Sequence, residues 1–128
     1  MGRPEELDPR EAIGLVGMAA WEIVYEEDDV AALQIPLVDQ TSLVFTVWTD
    51  WTLIIERRAD IQIPDYCWPP EKFSQRNILA DMPASGLKIT SLELDFNEKG
   101  EPVRADISIG PHRISARMFG GDLQVSVD

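Results

Sequence analysis

The sequence predicts a mainly β protein with a small helical share, built as two four-stranded antiparallel meanders that stack as a sandwich or curl into a partly open barrel. Three observations predict it. Apolar residues recur with a period of two over much of the chain, as strands with one buried face require. Corners at Asn97-Glu98-Lys99-Gly100, Gly110-Pro111 and Gly120-Gly121 divide the last third into four such runs. The stretch Thr41 to Arg58 reads as a hairpin that is apolar on both faces, which marks a strand pair covered on both sides.

Taken in order, residues 1 to 7 form a polar leader, expected to be mobile. Asp8 and Pro9 suit the N-cap and first position of a short helix running toward Gly17. Gly14 and Gly17 each weaken it by roughly 1 kcal/mol relative to alanine, so one or two turns are expected, packing Ile13, Leu15 or Val16 across a sheet end.

Residues 18 to 57 form the first meander. Trp21, Ile23 and Tyr25 alternate with Glu22 and Val24, then the acidic turn Glu26-Glu27-Asp28-Asp29 leads to a second run at Ala31, Leu33, Ile35 and Leu37. Pro36 cannot donate to a ladder and marks an edge, a bulge or a strand end. In the hairpin that follows, a Thr49-Asp50 loop pairs Trp48 with Trp51, Thr46 with Leu53 and Val44 with Ile55. Because both faces of this hairpin are apolar, the N-terminal helix or the crossover must cover the side that the second meander does not.

Residues 58 to 86 are the crossover, broken by Pro64, Pro69, Pro70 and Pro83, with room for one short helix from about Pro70 to Ala80. A connection of this length is either a bridge between half-domains or a functional loop. Residues 87 to 127 form the second meander. Its registers place Leu92 against Ile107 and Leu94 against Ala105, then Ile107 against Ile114, then Ala116 against Val125. All these apolar residues share one face. The other face is polar, and Arg104 beside Arg117 is a costly like-charge pair there unless Asp95 bridges it; the face reads as a solvated sheet surface rather than an arginine-lined anion site.

A chain of 128 residues, 45% hydrophobic and 27% charged, fits a single domain with its own core. No apolar run reaches the ~18 residues that a membrane span needs, and the start lacks a signal-peptide pattern. A single cysteine, Cys67, excludes an internal disulfide and points to the cytoplasm. The net charge is −12 and uneven: residues 1 to 56 hold 12 acids and 2 bases, the remainder 11 acids and 9 bases. A field of that sign disfavours nucleic acid and anionic lipid and speeds encounter with a basic partner, although simple solubility would produce the same composition.

Catalytic chemistry has few candidates. His112 is the only histidine and reads as a structural residue at a sheet end. Cys67 lacks neighbours that would depress its pKa. The consecutive acids lack the spacing of a calcium loop, and no phosphate-binding glycine loop is present, so neither metal nor cofactor is expected. The leading reading is a non-enzymatic protein-binding module of the immunity or inhibitor type, neutralising a basic effector, with room for a homodimer. Its candidate contacts are Glu22, Glu26, Glu27, Asp28, Asp29, Asp39 and Asp50 as a negative rim, with Tyr66 and Trp68 as apolar anchors. The alternatives are a small-molecule carrier with an interior lined by Trp21, Phe45, Trp48 and Trp51, and an enzyme using His112.

Overall fold

Leu33 and Ile35 alternate with Ala32 and Gln34, and the strand they make is the middle of its sheet. The computed structural model describes residues 6–128; most of the expected leader therefore lies outside the described residues. Leu7 is anchored, because its N–H donates to the Ile55 carbonyl at 2.7 Å and its side chain packs on the core. The strands are β1 (Val16–Gly17), β2 (Trp21–Tyr25), β3 (Asp29–Pro36), β4 (Ser42–Val47), β5 (Leu53–Arg58), β6 (Phe73–Asn77), β7 (Leu87–Phe96), β8 (Pro102–Ile109), β9 (His112–Phe119) and β10 (Asp122–Val127). They form two antiparallel five-stranded sheets, ordered β5-β4-β3-β2-β6 and β1-β7-β8-β9-β10.

Both expected meanders are present, and each gains a strand that alternation alone did not expose. β6 replaces the helix expected from Pro70 to Ala80, of which only a 3-10 turn at Pro70–Lys72 forms. Ser74, Gln75, Arg76 and Asn77 offer a helix no apolar stripe. As a strand, Phe73 packs on Tyr25 with ring centres 5.1 Å apart, and Arg76 pairs with Glu22 at 2.8 Å. β1 crosses to the second sheet, and a bridge between Gly17 and Leu37 ties it back to the end of β3. The two sheets are thus stitched along one side, between a sandwich and a partly open barrel.

The N-terminal helix shrinks to a 3-10 turn at Pro9–Ala12, capped by Asp8, whose carboxylate accepts from the Arg10 N–H at 3.0 Å. The turn ends at Ile13, whose backbone is extended, and Gly14 follows at φ +94°. Ala12 is buried and Leu15 packs on the core, but Ile13 points into solvent. The central hairpin is shifted by one residue from the expected register. Phe45 pairs with Ile55 and Thr46 with Ile54, because the loop spans three residues, Thr49 to Trp51. In the second meander the pairings hold across three hairpins, with bulges at the two ends of β7. Arg104 turns to Asp106 on its own strand, at 3.1 Å, and not to Asp95.

Leu33, Ile35, Leu43, Phe45, Leu53 and Ile55 meet Ile107, Ile109, Ile114 and Leu123 between the sheets. On the outer side of the first sheet a second cluster, Ile23, Ala32, Val44 and Cys67, is roofed by Ile63, Tyr66 and Phe73 from the crossover. The two-faced hairpin is therefore covered twice. A polar network fastens the roof: Gln34, fully buried, donates to Ser42 Oγ and the Gln62 carbonyl, and accepts from Gln75 at 2.7 Å. Ser42 in turn donates to the Asp60 carbonyl at 2.7 Å. Satisfying each buried polar atom is what makes this burial tolerable.

The stitch at β1 depends on Gly86. It sits at φ +78°, and a Cβ there would stand 2.7 Å from the Gly17 carbonyl oxygen. Gly86→Ala is expected to lower stability by about 2 kcal/mol or more, since strain and backbone collision add. Urea unfolding measures it.

Candidate functional site

Two hairpins with the same loop length show how one end of the molecule is built. The β7–β8 loop closes between Asn97 and Glu101, with Gly100 at φ +78°. The β4–β5 loop closes between Trp48 and Thr52, with Trp51 at φ +63° where the other hairpin has glycine. A bulky residue in the left-handed region is an outlier that needs support. Asp50 supplies part of it by accepting from the Thr52 N–H and from its hydroxyl at 2.6 Å. The Trp51 indole lies along the Gly120-Gly121 corner, 3.5 Å from where a Cβ of Gly121 would stand, yet remains 62% exposed. Phe119 beside that corner is also 62% exposed, with the Arg117 guanidinium 5.6 Å from its ring centre.

The β2–β3 turn reaches the same end, because the start of β3 pairs with the end of β4. Asp28 and Asp29 share an 840 Å³ groove with Asp122, Leu123 and Val125 of β10. A neighbouring hollow gathers Glu26, Glu27, Asp28, Asp29 and Glu71 around Lys72. Among the described residues no ion pair holds Glu27, Asp28, Asp29 or Asp122.

The other residues expected at a negative rim are distributed differently. Glu26 lies 3.8 Å from Lys72. Glu22 is ion-paired to Arg76, with only 12% of its side chain exposed. Asp39 sits in the β3–β4 turn at the opposite end, where the Thr41 hydroxyl and N–H, with Arg57, lower its pKa. The structure thus brings Glu26 to Asp29 and Asp50 to one end, adds Asp122 and the exposed aromatics, and leaves Asp39 apart. Asp122 and Phe119 carried no sequence signal beyond flanking a glycine corner. Trp51 was hidden by the one-residue error in loop length.

The two aromatic anchors part company. Trp68 is 76% exposed and does not plug the sandwich. Tyr66 folds inward, where its hydroxyl donates to Glu56 and its ring meets Trp48 edge-on at 5.6 Å. Arg58 lies 3.5 Å from Glu56, 3.5 Å from Asp65 and 5.9 Å from the centre of the Tyr66 ring. Burial raises the Tyr66 pKa, and the Glu56 carboxylate raises it further. Burial likewise pushes the Cys67 thiol up from 9.0 to about 11, outweighing the pull of Arg58. Such a thiol is protonated at neutral pH and a poor nucleophile.

His112 begins β9, paired with Ile109 beside the Gly110-Pro111 corner, at the end away from Gly120. Cys67 lies on the outer face of the other sheet. Among the described residues no group of three or more His, Cys, Asp or Glu is placed to hold a metal ion, and no helix is long and apolar enough to cross a membrane. The four aromatics considered for a carrier interior do not share a chamber: Phe45 fills the core, Trp48 lies against Tyr66, and Trp51 faces solvent. Trp21 is paired with Gln34, in the register that carries the outer face. No family model, curated protein or solved structure matches the chain.

Two outcomes follow from the Tyr66 cluster. Tyr66→Phe leaves a buried carboxylate with its arginine alone and should cost about 1–3 kcal/mol in urea unfolding. Alkaline pH should also destabilise the fold. An unfolded thiol ionises near 9.0 while the folded one keeps its proton to about 11. The stability this gives is whole below pH 9 and fades as pH rises through 11, on the order of 2 kcal/mol. Tyr66 acts in the same direction, and Cys67→Ala should flatten the slope between those limits.

Proposed function

We propose that this protein binds another protein, one with a basic surface, through the end that carries Trp51, Phe119 and the Glu26 to Asp29 turn. The observation that carries the reading is Trp51, a large apolar side chain held in a left-handed backbone conformation and still mostly exposed. Folding gains little from that arrangement, whereas strained and exposed groups concentrate at sites of recognition. Tryptophan is also the residue type most often found as the anchor of a protein interface. Glu27, Asp28, Asp29 and Asp122 lie at the same end and are held by no ion pair among the described residues, which favours fast, steered encounter with a cationic surface.

The reading is that of a non-enzymatic cytoplasmic inhibitor or immunity-type protein, for which a basic effector such as a nuclease is a suitable partner. The sign of the charge argues against nucleic acid itself.

Immobilised protein in a lysate of its own source should retain a discrete basic protein at low salt and release it at high salt. The charge-removing variant Glu27→Gln/Asp28→Asn/Asp29→Asn should retain much less. Trp51→Gly should match or exceed the parent in thermal stability, because glycine suits that backbone, while weakening capture by at least about tenfold, the loss expected of an interface anchor. No retention, or retention that neither variant alters, would remove the proposal.

A further inference from the structure

The groove beside Asp28 and Asp29 has a second property: one wall is an unpaired sheet edge. Among the described residues β10 is hydrogen-bonded to β9 alone, although its residues pack against β3 and β4. The ladder register tells which main-chain groups are free. The Asp128 N–H donates to the Arg113 carbonyl at 2.9 Å, so Arg113 and Asp128 form a hydrogen-bonded pair. In an antiparallel ladder such pairs alternate, which makes Ser115 with Ser126 and Arg117 with Gln124 the next two. The N–H and C=O groups of Leu123, Val125 and Val127 therefore point away from β9, toward the seam between β10 and the β2–β3 hairpin.

We propose that this seam is the docking slot for an extended basic segment of the partner, which adds as a strand alongside β10. This rests on the protein-binding reading above and specifies how the partner is held. Main-chain pairing with Leu123, Val125 and Val127 supplies the register, as in other cases of strand addition. The opposite wall supplies the sign: Asp28 and Asp29 line the groove across from β10, with Val30 as apolar floor. Glu22 also lines it but is held by Arg76, and of the two arginines on the β10 side Arg104 is paired with Asp106, while Arg117 is the one cation there without a carboxylate partner among the described residues. Cationic side chains at alternate positions of the added strand face those carboxylates.

A second copy of the chain is the other way to fill an edge, and charge opposes it. Antiparallel pairing of two β10 strands about Val125 would set Asp122 of each copy against Asp128 of the other, and like charges directly opposite are destabilising. The carboxylates along this edge guard it against self-association while leaving it open to a cationic strand.

The test uses acetyl-Lys-Val-Lys-Val-Lys-Val-Lys-amide as the probe, titrated into the full chain at low salt and followed by amide chemical shifts. The proposal expects shifts centred on Leu123, Val125 and Val127, and no binding by the peptide with glutamate in place of lysine. Val125→Pro removes a donor that β9 does not use, a substitution an edge strand tolerates. It should weaken the peptide by about tenfold or more, the cost of lost main-chain bonds. Methylating alternate peptide nitrogens tests the same bonds from the other side and decides the matter if Val125→Pro does not fold. Binding that ignores both changes, with shifts confined to Glu26 to Asp29, overturns the strand-addition proposal and leaves the acidic site standing. Absence of peptide binding while the basic lysate protein is still retained does the same. A dimer in sedimentation that the peptide fails to dissociate also overturns it.

Discussion

Covering both faces of β3 and β4 is the constraint on which the rest of this structure depends. Leu33, Ile35, Leu43 and Phe45 must meet the second sheet, while Ala32 and Val44 on the opposite side must be kept from water as well. Fully burying a side chain of leucine or phenylalanine size is worth roughly 1.5–3 kcal/mol, so neither face is left exposed. The second meander has one apolar face and can satisfy one side. The crossover is therefore drawn over the other, with Ile63, Tyr66, Cys67 and Phe73 as its inner lining. Gln34, which would otherwise be an unsatisfied buried amide, becomes the clamp that holds this roof through Gln75 and the Gln62 carbonyl.

That solution determines where the molecule is closed and where it is open. Roofing the first sheet brings β6 to the edge beyond β2. On the other side β1 and Leu37 stitch the two sheets together. The open seam is thus left beside β10, next to the end where the hairpin tips with Asp28, Trp51 and Gly121 meet. The acidic turn, the strained tryptophan and the free strand edge lie close together because of topology, although they are far apart in sequence.

Much of this was legible in the residues. Side-chain alternation and the corners at Gly100, Gly110-Pro111 and Gly120-Gly121 specify the second meander almost pair by pair, since a slip of one residue would turn its apolar face to water. The two-faced hairpin foretold the roof for the same reason. What escaped was set by other terms. The register of β4 and β5 depends on Trp51 adopting a conformation usual for glycine, and both faces being apolar removes the penalty that normally reveals a slip. β6 has too little apolar character to be seen as a strand and is held by Glu22, Tyr25 and Gln34 from elsewhere in the chain. At the candidate site the acidic turn was visible, but the pairing of Glu22 with Arg76 and the removal of Asp39 to the far end are three-dimensional facts.

The most direct measurement of the central claim is native-state amide exchange on the free protein, residue by residue. If two-sided burial organises the fold and leaves one seam open, the amides of Leu33, Phe45 and Ile54 should exchange only with global unfolding. Those of Leu123, Val125 and Val127 should exchange fast while Gln124 and Ser126 between them stay protected. Uniform protection along β10, or early exchange in β3 and β4, would contradict the account.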